Sequence, residues 1–336
     1  MTTALDADQL ETFERAGFLV VPDVLADHDR RSVEDEIAAV LEAAADDLVR
    51  RGALSQSFDH LEFDERYYTV LAEYPDIYEY LNISLPLVNN GHDPTRFRCH
   101  TGPELFGLLR HPKILDVVES VIGGEILSNP IQHIRLKPPI HRVPKAVSAY
   151  SNIGRTTWHQ DHGAAMDDAT ATDMLTVWVA MTDAPIEMGC LVAAPASHAA
   201  GELTMHCPGN GLGSEAENYI PQGIVDGKPT VALPVRAGSL VLLSKWTEHA
   251  ALDNTSDRLR WSFDLRYQPI GQPSGRPAFP TFIARSRAHP ESEMTDPSEY
   301  ADQWEAARQA ILTGAHEGPV YEQDRWLANA GDPLCA

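Results

Sequence analysis

The sequence holds four cysteines in 336 residues, Cys99, Cys190, Cys207 and Cys335, with no CxxC spacing. That argues against both a thiolate zinc site and a disulfide framework, and the four read as reduced thiols. Basic residues are scarce: 26 Lys+Arg against 49 Asp+Glu leave a net charge of −23. So acidic a surface repels phosphate backbones and anionic bilayers, so neither nucleic acid nor a membrane is expected as a partner. A small diffusible molecule is expected instead. No apolar run approaches the ~18 residues needed to cross a bilayer. The opening MTTALDADQLE is acidic where a signal peptide would be basic and then apolar, so the chain reads as cytoplasmic. Low-complexity linkers and internal repeats are missing too. With 43% hydrophobic content, the expectation is one domain over residues 1–336.

What is present changes character along the chain. Residues 1–124 carry helical spacing: Gln9 to Ala16 stopped by Gly17, then a short apolar run Phe18 to Pro22, then Val33, Ile37, Val40, Leu41 and Leu48 within 27–51. Residues 103–122 are predicted as one helix, ended by Gly123-Gly124. From 125 to 269 the period falls to two, in short β-rich segments bounded by turn residues, which predicts a sandwich or barrel. Residues 270–336 form an extension in which Tyr300, Trp304, Ala307 and Ile311 mark a further amphipathic helix. Two stretches rich in Gly and Pro, 138–155 and 201–229, are long enough to be binding loops or a lid.

His159 and Asp161 stand two apart in TTWHQDHG. On a strand such residues face one side, so an imidazole and a carboxylate would converge, as in a 2-His-1-carboxylate iron site. The pair alone carries little, since 14 histidines among 49 acids yield about two such pairs by chance. The chain has three, but His60-Glu62 and His289-Glu291 lie in acidic, polar surroundings without β-patterning. His249, ending the apolar run from Ser239, is the candidate third ligand, although a histidine satisfied at a strand end fits there as well. The stretch Arg258 to Tyr267 alternates strictly: Leu259, Trp261, Phe263, Leu265 and Tyr267 on one face, Arg258, Arg260, Ser262, Asp264 and Arg266 on the other. Solvent would explain that polar face on a surface strand. In a barrel the same face lines a polar cavity, where an arginine offers a planar fork to a carboxylate.

Taken in order, GFLVVPDVL, the segment Ile134 to Pro139, WHQD, LTVWVAMTDA from Leu175, Met188-Gly189-Cys190-Leu191 with Pro195 to His198, and His249 followed eleven residues on by Arg260 resemble the phytanoyl-CoA hydroxylase family of Fe(II)/2-oxoglutarate dioxygenases. The similarity covers most of the chain. It implies a mainly β fold with flanking helices, a double-stranded β-helix or jelly roll. Carried over residue by residue, it implies that His159, Asp161 and His249 bind Fe(II). Arg260 would hold the distal carboxylate of 2-oxoglutarate, with Arg258 of the same parity as the fallback, and Trp178 and His133 would lie beside the co-substrate. Ser197-His198 would serve a turn. With O2 as the second co-substrate, 2-oxoglutarate would go to succinate and CO2 while an unactivated C–H bond is oxidised. Halogenating relatives replace the carboxylate ligand by a small residue, so Asp161 implies hydroxylation, or desaturation or ring formation.

The substrate is constrained only by local charge. Residues 126–160 contain Arg135, Lys137, Arg142, Lys145 and Arg155 and no acid, which predicts a positive entrance that draws in 2-oxoglutarate and an anionic substrate. Two other readings fit a jelly roll: a non-redox divalent-metal isomerase or lyase, and an inactive member that only binds its ligand. The complete triad and Arg260 speak against both.

Overall fold

Alternating residues of one strand enter two different cores. In β3 (Leu175–Ala180), Leu175, Val177 and Val179 join a core shared with the helices, while Trp178 and Ala180 face the opposite way. The structure, a computed structural model, describes residues 3–85, 98–148, 152–209, 218–320 and 324–335. Its larger sheet has the order β1-β6-β3-β8-β2-β9, where β1 is Phe18–Val21, β2 Glu125–Lys137, β6 Leu240–Ser244, β8 Arg260–Pro269 and β9 Phe282–Ser286. The smaller sheet runs β5-β4-β7, from Val231–Leu233, Leu191–Ala193 and His249–Ala251. Every pairing is antiparallel. The two sheets close over Trp178, Leu243, Leu191, Ala193, Leu233 and Ala251, giving the jelly roll.

Helices cover the outer face of the larger sheet. The Asp27–Arg50 helix buries Val33, Ile37, Leu41 and Leu48, the Pro112–Ile122 helix buries Ile114, Val117 and Val118, and the Pro297–Thr313 helix buries Tyr300, Trp304 and Ile311. All share one core with Trp261, Phe263, Leu265 and Tyr267 of β8. Asp6 and Gln9 form a reciprocal cap on the helix Ala7–Ala16. Gly17 ends that helix at φ +81°, and a Cβ there would strike the His198 ring at 2.3 Å. His198 Nε2 lies 3.0 Å from the Glu14 carbonyl, buttressing the turn.

Four expectations need correction. The predicted helix over 103–122 is two, Pro103–Leu109 and Pro112–Ile122, because Pro112 has no N–H to continue the ladder and sits instead in a first turn. The segments expected to be short from 125 onward begin with one strand of 13 residues, β2, with a register shift between Asn129 and His133. β9, in the extension beyond 269, adds an edge strand against the start of β2. Finally, Cys207 and Cys335 form a disulfide across 128 residues, while Cys99 and Cys190 are free. The C-terminal segment returns to the base of the 201–229 loop, where Asn329 donates to the His206 carbonyl at 2.8 Å and Cys207 pairs with Tyr219. That approach brings the two sulfurs together; spacing along the chain carries no trace of it. The lid expected over 201–229 falls partly on 210–217, outside the described residues.

Denatured but unreduced protein should therefore show two reactive thiols, rising to four on reduction. Cys335→Ser should lower the unfolding free energy by about 2–4 kcal/mol. Thiol titration and urea unfolding check both, and four thiols before reduction would refute the pairing.

Candidate functional site

Backbone pairing brings the two histidines together. The N–H of His159 donates to the His249 carbonyl and the reverse bond closes the bridge, both at 2.9 Å, which sets the rings 4.2 Å apart. The strand expected to carry both His159 and Asp161 shrinks to this bridge, because Asp161 already opens a 3-10 turn, Asp161–Ala164. Gln160 remains extended, at φ −116° and ψ 139°. The donor atoms of His159, Asp161 and His249 lie within 4.8 Å of one another. His159 donates from Nδ1 to the Thr157 carbonyl at 2.9 Å and His249 from Nδ1 to that of Thr247 at 3.0 Å, so each Nε2 keeps its lone pair for a metal. Burial, with His249 as neighbour, pushes His159 down to about 3, so its imidazole is neutral at pH 7.

Asp161 is only 1% exposed. Burial alone would raise its pKa, but Arg266, the two histidines and Thr176 outweigh that and hold it well below the usual carboxylate range. The Arg266 guanidinium bonds Oδ1, and the Thr176 hydroxyl donates to Oδ2 at 2.6 Å.

Beside the triad opens a recess of ≈ 310 Å³ including its mouth, whose lining includes Arg135, Thr176, Trp178, Arg260 and Asp264. Arg260, Ser262, Asp264 and Arg266 are 0, 0, 7 and 3% exposed, so the polar face of β8 is an interior lining and no solvent face. Arg260 donates from Nη1 to Ser262 Oγ at 2.8 Å, while its Nε and Nη2 are buried without a partner. Trp178 stands with its ring centre 5.6 Å from the Arg260 Cζ and its Nε1 unpartnered. A roomier cavity, ≈ 710 Å³ including its mouth, lies between Cys99 and the Pro297–Thr313 helix, but its lining shares no residue with the triad.

The family model described as phytanoyl-CoA dioxygenase (PhyH) matches residues 13–262, a span that includes the triad and Arg260. The chain belongs to the phytanoyl-CoA dioxygenase family. A phytanoyl-CoA dioxygenase of Arabidopsis thaliana is 28% identical over 113 residues, 33% of this chain and 38% of that relative's length. Among solved structures, the apo form of the non-heme monooxygenase ThoJ is similar at TM-score 0.53 and 18% identity, covering 91% of this chain and all of its own. HygX of Streptomyces hygroscopicus, with nickel and 2-oxoglutarate bound, aligns at TM-score 0.47 and 17% identity over 80% of this chain and 88% of its own.

In this PhyH member, His159, Asp161, His249, Arg260 and Trp178 come together, but His133 and Arg258 do not join them. Arg258 is exposed at the strand's entry and donates to Met188 Sδ, so parity alone was a poor guide to it. His133 is on β2 opposite Asp264 and outside the lining, pushed down to about 3 by burial and then by Arg135. Two residues further along β2, Arg135 lines the recess instead, donating from Nε to Asp264 Oδ2 at 2.5 Å. Sequence reasoning missed Arg135, Thr176, Asp264 and Arg266 as site residues, although the alternation of β8 already put Asp264 and Arg266 on the face of Arg260. The expected positive entrance also divides. Arg135 and Lys137 are interior and bonded to Asp264 and Thr156, whereas exposed Arg142 pairs with Glu65. Lys145 and Arg155, the other two cations of that stretch, are exposed.

Two outcomes follow. The triad should not be uniformly dispensable for folding: Asp161→Ala leaves Arg266 buried and unpaired and should cost about 3–5 kcal/mol in urea unfolding, with His159→Ala costing far less. Equal losses would contradict the pairing. Metal-free protein should also lose stability as pH falls from about 6.5 toward 3. Over that range the unfolded chain protonates its histidines, while native His133 and His159, both lowered to about 3, stay neutral. A flat stability curve between pH 7 and 5 would count against this.

Proposed function

We propose that the recess binds Fe(II) through His159, Asp161 and His249 and 2-oxoglutarate through Arg260, and that the chain uses O2 to hydroxylate an unactivated C–H bond of a small molecule. The observation that carries this reading is Arg260. Among the described residues it has no ion-pair partner, yet it is fully buried with two N–H groups unbonded. An uncompensated buried cation costs several kcal/mol, so the fold keeps a place for an anion. A keto dicarboxylate would suit both halves of the site, its keto-acid end toward a metal held by the triad and its far carboxylate toward the guanidinium.

Iron and 2-oxoglutarate, when bound, would let O2 act as the oxidant, one oxygen atom going to succinate as CO2 is lost and the other to the C–H bond. The chain's own residues hold, orient and exclude water. Arg260 and the Trp178 Nε1–H point donors at the co-substrate. Leu191, Leu243 and Ala251 form an apolar wall to the same recess, which strengthens the polar contacts inside it. His159, its side chain 17% exposed against 6% for His249, marks the side from which substrate enters. Asp161 keeps a carboxylate where a halide would need space, which favours hydroxylation.

Anaerobic addition of Fe(II) and 2-oxoglutarate should produce a visible metal-to-ligand charge-transfer band. Arg260→Ala should weaken 2-oxoglutarate binding by about 2–5 kcal/mol, with Arg258→Ala near wild type. A fully iron-loaded protein without the band would favour the non-redox reading.

A further inference from the structure

We infer that Arg266 is a positioning residue for the metal site: it occupies Oδ1 of Asp161 so that the carboxylate presents a single oxygen, Oδ2, to the metal. This rests on the reading of His159, Asp161 and His249 as metal ligands.

Arg266 is 3% exposed and held from two sides. Its Nη2 bonds Asp161 Oδ1, and its Nη1 donates to the Ile131 carbonyl at 2.8 Å. Ile131 lies in the part of β2 where the register with β8 shifts, between Asn129 and His133. There Pro130 lacks an N–H, and the Ile131 N–H is taken by the Asn129 side chain at 2.8 Å. The irregularity thus frees a carbonyl to aim the guanidinium. Thr176, directly across from Arg266 in the β3–β8 register, donates to Oδ2 and stops the carboxylate from rotating.

A guanidinium on one oxygen draws charge from the carboxylate and repels a second cation on that side. Oδ2 retains one unused lone-pair direction beside the Thr176 bond. A metal then meets three protein donors and no fourth, which leaves room for a bidentate co-substrate and for oxygen. Arg266 serving only as counter-ion to a buried aspartate would give no such restriction, and the two roles separate by experiment.

The test is an anaerobic titration of metal-free protein with Co(II), reading both affinity and visible d–d absorption, with circular dichroism as the check on folding. Arg266→Gln should bind Co(II) about tenfold tighter, because a nearby positive charge is gone. Its d–d bands should weaken as the freed Oδ1 raises the coordination number. Arg266→Lys keeps the charge but not the fork, so it should retain wild-type affinity and still show weakened bands, and it decides the matter if the glutamine variant fails to fold. Lysine-variant bands identical to wild type, or a folded glutamine variant with unchanged or weaker affinity, would overturn the inference. Wild-type protein that takes up no Co(II) would remove the metal-site reading itself and this inference with it.

Discussion

A strand buried on both faces cannot leave its charges to water, and β8 is such a strand. Its apolar side completes the core under the helices, while Arg260, Ser262, Asp264 and Arg266 face the interior of the jelly roll. Each interior charge therefore needs a partner. Asp264 takes Arg135 from β2, and Arg266 takes Asp161 from the turn after the His159 bridge. Arg260 is left over. The rest of the site follows from that arithmetic: paired charges make a rigid polar floor, and the unpaired one defines where an anion belongs.

The same pairing ties the three proposed metal donors to the scaffold. Asp161 is anchored by β8 and β3, and His249 belongs to β7. His159 is joined to β7 by two backbone bonds. Gln160, between the two ligands, bonds the backbone of Glu202, Thr204 and Trp246 and so fastens the base of the 201–229 loop to the metal motif. The Cys207–Cys335 disulfide then holds the C-terminal segment to that loop.

Much of this was legible because a strand's side-chain period is two and independent of its partners. The alternation of residues 258–267 assigned the side chains of β8 as far as Tyr267 to their faces, and His159 and Asp161 were a matched pair before any fold was known. The apolar run before it already made His249 the candidate third ligand, and the resemblance to a family added the choice of Arg260 over Arg258. That choice was beyond parity alone, since exposure of Arg258 depends on where β8 begins to be covered.

What the sequence by itself determined is the set of donors and the face each occupies, through local backbone geometry and the order of motifs. Tertiary structure alone decided who meets whom. Position along β2, within one register, puts Arg135 and not His133 in the recess lining, and the register shift before them leaves the Ile131 carbonyl to Arg266. The return of the C-terminus pairs Cys207 with Cys335. The reason is physical: a period is a property of one strand, whereas a contact depends on register, bulges and closure between segments more than a hundred residues apart.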